Sequence, residues 1–96
     1  MDKLRALEYF IAATRTRSFS GAARELDVSV PAITRLVSAL EKSLGVNLLD
    51  RTPQGVRLTA DGAAYLEICE PLLRQLGIAD EALRGAASRP RGTLVL

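Results

Sequence analysis

The stretch SFSGAARELDVSVPAITRLVSALEKSL, residues 18–44, decides the fold of this 96-residue chain, because it predicts two helices joined by a tight turn. Ser18 is placed to cap a short helix that runs to Leu26, since its side-chain oxygen can accept a hydrogen bond from a free N–H of the first turn. Ser29 can cap the second helix in the same way. Pro31 falls in the first turn of that helix, where the missing N–H of proline costs nothing.

The apolar residues of this stretch indicate how the two helices pack. The first helix presents a buried face of Ala22, Ala23 and Leu26, and its two small alanines allow a close crossing with the second helix. The second helix is expected to end at about Leu44, with Gly45 as its C-cap. Its predicted buried residues are spaced at three and four positions and comprise Ile33, Leu36 or Val37, Leu40 and Leu44.

An amphipathic helix is predicted upstream, from Lys3 to about Thr14. Its apolar residues recur at steps of three and four, while charged residues lie off that stripe. The expected buried stripe comprises Leu4, Leu7, Phe10, Ile11 and Thr14. The chain therefore begins with three helices.

A β-hairpin is predicted after the third helix. Short apolar alternations, Val46 with Leu48 and Val56 with Leu58, flank the turn sequence TPQG at residues 52–55. With the long helix that follows, the predicted fold class is mainly α. It is a winged helix-turn-helix, with three helices plus a short β-hairpin wing, followed by a long dimerisation helix.

The long helix is expected to begin after a Thr59 cap and to run to about Ala87. Pro71 removes one backbone hydrogen bond inside it and predicts a kink. An apolar seam follows alternating steps of four and three residues, the spacing with which one helix pairs with another. The predicted dimerisation seam comprises Tyr65, Cys69, Leu72, Leu76, Ala79, Leu83 and Ala86. Three apolar residues lie beside this seam, namely Leu66, Ile68 and Leu73. Their alternative role is to pack back on the three-helix part of the chain.

The predicted organisation has three parts. Residues 1–59 form the head, with the helix-turn-helix at about 19–38, and residues 60–88 form the linker helix. Residues 89–96 are expected to be a hinge and the opening strand of a further domain, because RPRG ends the helix and TLVL has no strand to pair with.

Composition argues against several classes of function. The chain has no histidine, which removes histidine bases, Ser-His-Asp triads and the usual zinc ligand sets. Cys69 is its single cysteine, so no intrachain disulfide can form, in agreement with a cytoplasmic location. No apolar run approaches the roughly 20 residues of a membrane span. We therefore expect no enzyme, no catalytic residue and no metal site, whereas the net charge of +2 permits nucleic-acid binding without indicating it.

The second helix of the helix-turn-helix carries side chains suited to the major groove of DNA. Arginine can form a bidentate pair with guanine, threonine can bond base or phosphate, and small apolar side chains can contact thymine methyl groups. The residues predicted to read bases are Val30, Pro31, Ala32, Thr34 and Arg35. Those predicted to contact phosphates or to act from the wing are Ser18, Ser20, Ser29, Ser38, Arg51, Gln54 and Arg57. The predicted partner is double-stranded DNA, bound by a homodimer.

Alternatives stay open for several of these residues. Arg35 can be a solvated surface residue, and helix initiation alone explains Pro31. Arg51 can hold the hairpin through a carboxylate such as Asp50 or Glu41, and Glu41 otherwise belongs to a polar face. For the chain as a whole, the alternative function is a protein-binding or oligomerisation adaptor without DNA binding.

Several stretches together resemble the DNA-binding domain of LysR-type transcriptional regulators, and the resemblance covers almost the whole chain. They are the opening helix Leu4–Phe10, SFSGAAREL at 18–26, SVPAITR at 29–35, LE and LG at 40–41 and 44–45, LDR at 49–51, and LTADG at 58–62. The resemblance implies a bacterial regulator in which each head binds half of a pseudo-palindromic promoter site. It also implies that the linker helix pairs two heads, with a tetramer as the alternative for the full-length protein.

The resemblance further implies a larger ligand-binding domain, of which GTLVL at 92–96 looks like the start. A small-molecule effector is expected for that domain, and no cofactor is expected for the present chain. The sequence departs from the family pattern at three positions: Val30 stands where Gln is frequent, Leu49 where Phe is frequent, and Gln54 where the wing tip is usually basic. Readout at position 30 is therefore expected to be apolar, and the wing tip carries no charge.

Overall fold

The computed structural model describes the backbone of residues 1–87 and the side chains of residues 1–85. Four helices and one hairpin follow one another in the order α1, α2, α3, β1, β2, α4. Their bounds are Lys3–Thr16, Phe19–Leu26, Val30–Leu44, Leu49–Thr52, Gly55–Leu58 and Ala60–Ala87. The predicted hinge at 89–96 and the last predicted residue of the linker helix, Ser88, lie outside the described residues.

The predicted helix caps are confirmed. The side chain of Ser18 accepts a hydrogen bond from the backbone N–H of Gly21 at 3.0 Å, and that of Ser29 accepts one from Ala32 at 3.2 Å. Gly45 ends α3 with a left-handed φ of 76° and donates its N–H to the carbonyl of Glu41. The helix-turn-helix therefore lies where the sequence predicts it, because its boundaries are set by contacts within three or four residues.

The core lies where α1, α2 and α3 meet. Its largest fully buried side chains are Phe10, Ile33, Val37, Leu40 and Leu48. The buried faces predicted for α2 and α3 are confirmed, with Leu26, Leu36 and Leu44 packed at the edge of the core.

The buried face predicted for α1 is confirmed at Phe10 and at Leu7 and Ile11, which pack at the edge of the core, and is wrong at Leu4. Only Phe10 of the predicted stripe is fully buried, and Leu4 is exposed. The residues that α1 buries are Ala6, Tyr9, Phe10, Ala12 and Ala13. Because α1 packs against both α2 and α3, small alanines face its neighbours and allow close approach, while the larger Leu7 and Ile11 cover the edge.

The hairpin starts later than the sequence predicts. Strand β1 pairs with β2 in antiparallel register, with Leu49 opposite Leu58 and Thr52 opposite Gly55. Val46 and Leu48 belong to the connection before β1, so their assignment to the first strand is wrong. The reason lies in α3, since a carboxylate oxygen of Glu41 accepts the N–H groups of Leu48 and Leu49 at 2.7 and 3.1 Å. Glu41 thus joins α3 to the start of the hairpin and is not merely part of a polar face.

Helix α4 starts against the head and then leaves it. Thr59 caps it, as predicted, by accepting the N–H of Gly62 at 2.9 Å. A Cβ at Gly62 would lie 2.0 Å from the carbonyl oxygen of Leu48, so only glycine allows this close approach. Phe10 and Tyr65 meet with their ring centroids 6.1 Å apart. Pro71 lies inside α4. Among the helices of the described residues, none combines the length and the hydrophobicity that a membrane span needs.

Candidate nucleic-acid interface

The structure joins α2 and α3 as a helix-turn-helix. Ala22 and Ala23 of α2 are buried, and the turn begins at Asp27, which adopts a left-handed φ of 57°. The N–H of Asp27 bonds back to the carbonyl of Ala23, so the turn closes the end of α2 tightly. Helix α3 is thereby held across α2 with one face in the core and the other facing outward.

The outward face of α3 carries three of the predicted DNA-contacting residues. Pro31, Arg35 and Ser38 are exposed, and their spacing of four and three residues places them on one side of the helix. Lys42 continues this face one turn further and was not among the predicted contacts. The same four-residue spacing from Ser38 would have identified it.

The other predicted base-reading residues flank this face. Val30 is 39% exposed at the first position of α3. Ala32 and Thr34 are partly covered, and Ala32 packs against the core. The hydroxyl of Thr34 donates to the carbonyl of Val30 at 2.6 Å, so its hydrogen is already used inside the helix. Thr34 can therefore offer DNA its oxygen as an acceptor and its methyl group for apolar contact.

The four serines of the interface differ in how much of their hydrogen-bonding capacity is free. Ser18 and Ser29 accept cap hydrogen bonds, which leaves each hydroxyl hydrogen available to donate to a phosphate oxygen. Ser20 and Ser38 are exposed, and within the described part of the chain their side chains make no hydrogen bond. All four are thus able to donate to phosphate.

In the wing, Arg51 and Arg57 lie on opposite faces of the hairpin. Arg51 pairs with Val56 and shares the face of Leu49, which packs into the core. Arg57 lies opposite Asp50 in the strand register, on the outer face of the hairpin. Both arginines are exposed, as is Gln54 in the turn.

Arg51 is not held by a carboxylate. Its guanidinium lies 5.1 Å from the centre of the Phe19 ring, in a cation–π contact. Glu41 is occupied by backbone N–H groups, and in residues 1–85 no ion pair involves Arg51 or Asp50. The alternative in which a carboxylate holds Arg51 is therefore wrong. The partner is an aromatic ring that charge-based sequence reasoning did not consider.

The wing also contacts the turn between α1 and α2. The N–H of Val56 donates to the carbonyl of Arg17 at 3.1 Å. Gly55 has a φ of 133°, and a Cβ there would lie 2.3 Å from the same carbonyl oxygen. The hairpin is therefore docked on the residues that lead into the helix-turn-helix.

Outside the head, α4 exposes an apolar stripe. Leu72 and Leu83 are 63% and 72% exposed, and Leu76 and Ala79 are exposed between them. Ile68, for which packing on the head was an alternative, is 66% exposed and extends the stripe. Leu66 and Leu73 are partly covered, and Leu66 packs against the head. The side chain of Ala86 lies outside the described residues.

The first two residues of the predicted seam face the head instead. Cys69 is only 6% exposed in the single chain, and Tyr65 packs against the core. Burial raises the pKa of the Tyr65 phenol, and the neighbouring Cys69 thiol raises it further. The seam prediction is therefore corrected at these two positions, because the head already covers this side of the first α4 turns.

Comparison with known proteins places the chain among bacterial regulators. The family model described as "Bacterial regulatory helix-turn-helix protein, lysR family" matches residues 4–63. The HTH-type transcriptional regulator TcbR of Pseudomonas sp. (strain P51) is 42% identical over 92 residues, which are 96% of this chain and 31% of that regulator. The chain therefore spans less than a third of the length of TcbR.

Solved structures share the same architecture. The complex of the CbnR DNA-binding domain with DNA is 44% identical, with a TM-score of 0.78, and the match covers 91% of this chain and 99% of that one. The BenM DNA-binding domain in complex with catB site 1 DNA is 31% identical, with a TM-score of 0.82 over 94% of this chain and 100% of that one. The predicted fold class is confirmed by these matches. Together with the family match over residues 4–63, they show that the chain belongs to the LysR family of bacterial regulatory helix-turn-helix proteins.

Proposed function

We propose that this chain binds double-stranded promoter DNA sequence-specifically, with α3 in the major groove, as the DNA-binding part of a bacterial transcriptional regulator. The observation that carries the proposal is the outward face of α3. There Arg35 is exposed and, in the described part of the chain, has neither an ion pair nor a side-chain hydrogen bond. A free guanidinium on the second helix of a helix-turn-helix is suited to the paired acceptors of a guanine edge.

The DNA complexes of the CbnR and BenM domains support this mode of binding, because both match the head and α4 together. Bases are proposed to be read by Val30, Pro31, Ala32, Thr34 and Arg35. Phosphate or wing contacts are proposed for Ser18, Ser20, Ser29, Ser38, Arg51, Gln54 and Arg57. Lys42 joins this second group because it continues the exposed face of α3.

Two copies are proposed to pair through α4. The exposed stripe of Ile68, Leu72, Leu76, Ala79 and Leu83 leaves a row of apolar side chains in water unless another surface covers it. A second copy covers it with the same residues and places two heads on a pseudo-palindromic site. The full-length regulator is proposed to act as this dimer or as a tetramer.

The regulatory part of the function is proposed for a further domain. TcbR is more than three times as long as the match, and LysR regulators are expected to sense a small-molecule effector outside the DNA-binding head. No cofactor is proposed for the present chain, and a cytoplasmic location is proposed because the target is promoter DNA. A DNA-free adaptor would explain the α4 stripe but assigns no role to the free arginine on α3.

The test is a binding measurement on duplexes that the chain enriches from a random pool. Fluorescence anisotropy across a salt series should give an affinity that falls linearly on logarithmic axes as salt rises, because phosphate contacts release counterions. Scrambled duplexes of the same length should bind more weakly. Failure to enrich any duplex, or an affinity independent of salt, would contradict DNA binding.

A further inference from the structure

The contact between Arg51 and Phe19 joins the wing to the first residue of α2. The guanidinium carbon lies 5.1 Å from the ring centre, so the ring restrains the arginine through its face. The N–H groups at the guanidinium edge are free, since no hydrogen bond or ion pair involves Arg51 within residues 1–85. A stacked arginine with a free edge is arranged to bind a further group.

Phe19 itself is a firm support. Its side chain is partly buried and packs against the core, and it follows Ser18, whose cap fixes the start of α2. On the other side, the hydrogen bond from Val56 to Arg17 fixes the strand that pairs with Arg51. Both ends of the contact are therefore held by backbone structure, and only the arginine side chain is left to be oriented.

We infer that Phe19 is a positioning residue that holds the guanidinium of Arg51 ready for a DNA phosphate. The inference rests on the proposed DNA binding and adds a role that the sequence patterns did not assign to Phe19. A long arginine side chain loses rotamer freedom when it binds phosphate, and the ring removes part of that freedom beforehand. Phe19 touches no DNA in this role and acts only through Arg51.

The experiment is a double-mutant cycle on the 96-residue chain, with a duplex enriched from the random pool and its scrambled control. Arg51→Ala should weaken binding to both duplexes by a similar factor and lower the salt slope by about one, as loss of a phosphate contact requires. Phe19→Leu should weaken binding by about two- to fivefold, the range expected for an exposed cation–π contact. Phe19→Tyr, which keeps the ring, should bind as the unsubstituted chain does.

The decisive comparison is Phe19→Leu in the Arg51→Ala background. If Phe19 acts through Arg51, the double variant should bind no more weakly than Arg51→Ala alone. An equal loss in both backgrounds would mean that Phe19 supports the fold in general, and the inference would be wrong. If Arg51→Ala binds normally while the unsubstituted chain shows salt-dependent binding, the inference fails and the proposed function stands.

A second variant avoids any change in the core. Arg51→Lys keeps the positive charge but loses the planar group that stacks on the ring. It should keep the salt slope and still bind more weakly than the unsubstituted chain. Normal affinity of Arg51→Lys would show that charge alone suffices and would overturn the positioning role, even if Phe19→Leu failed to fold.

Discussion

At the scale of single residues, the arginines differ in whether a carboxylate already holds them. Arg5, Arg15 and Arg84 form ion pairs with Asp2, Glu25 and Glu81. Exposed pairs of this kind contribute little to stability, typically about 0–1 kcal/mol each. Arg35, by contrast, has no carboxylate within pairing distance among residues 1–85. Its charge is therefore available to an external partner.

Replacing Arg35 tests base recognition directly. Arg35→Ala should weaken binding to the enriched duplex by about 1–3 kcal/mol and relax the preference at one base pair, since a bidentate contact with guanine is lost. Competition with duplexes substituted one base pair at a time measures this preference. Arg84→Ala, which removes an ion-paired arginine near the end of α4, is the control and should change neither quantity. An equal loss on scrambled duplexes would assign Arg35 to phosphate contact instead.

Two glycines of α4 should respond to alanine in opposite directions. Gly62→Ala places a Cβ 2.0 Å from the carbonyl oxygen of Leu48, and overpacking of this kind should lower the free energy of unfolding by about 1–3 kcal/mol. Gly77→Ala meets no atom within 4 Å and should raise it by roughly 0.5–1 kcal/mol, because alanine favours the helix. Urea denaturation at one fixed protein concentration measures both. A neutral Gly62→Ala would show that α4 can shift away from Leu48 at little cost.

At the scale of elements, α4 has two consecutive roles. In its first turns Tyr65 packs against the edge of the core and Cys69 is buried. Its later turns leave the head and expose leucines, of which Leu83 is the most exposed. Because both parts belong to one helix, the packing of its first turns on the head fixes the direction in which the exposed apolar stripe extends from the head.

Charge introduced into the stripe tests pairing. Leu76→Asp should convert dimers to monomers, because a carboxylate would be buried against the apolar residues of a second copy. Ile78→Asp is the matched control: Ile78 is also exposed, but two helical positions further on it lies on a different side of α4. Sedimentation velocity over a concentration series distinguishes monomer from dimer. An unchanged dimer in Leu76→Asp, or equal loss in both variants, would place the interface elsewhere.

At the scale of the whole molecule, the head and α4 together set the geometry of the proposed DNA binding. The wing is docked on the turn that leads into α2, and α4 begins against the buried Leu48. Because α4 is one helix from Ala60 to Ala87, two paired copies hold their heads in a defined relation. Half-sites are therefore expected one helical turn of DNA apart, or a multiple of it.

The spacing of the half-sites tests this geometry. Inserting about half a helical turn between the two half-sites of the enriched duplex rotates one of them to the opposite face of the DNA. Affinity should fall towards that of a single half-site, and a full-turn insertion should cost less than the half-turn insertion. Gel-shift titration with the original duplex, the half-turn insertion and the full-turn insertion measures the difference in affinity. Equal affinity for all three would mean that the heads bind independently.

Much of the fold follows from signals that act over three or four residues. The structure confirms the predicted positions of several such signals: the caps Ser18, Ser29 and Gly45, the TPQG turn, and the Thr59 cap that precedes α4. Such signals can be recognised in the chain because each depends on contacts between groups only a few residues apart. The outward face of α3 follows from the same local periodicity, which places Arg35 opposite the buried Ile33.

Contacts between elements were decided by tertiary packing. Helix α1 buries alanines because two helices approach it closely, Glu41 binds backbone N–H groups seven and eight residues away, and Arg51 meets Phe19 across the wing. The side of α4 that faces the head, at Cys69, depends on where the head lies. Periodicity alone gives a helix an apolar side but not its neighbour, so these partners are determined only when the elements pack together.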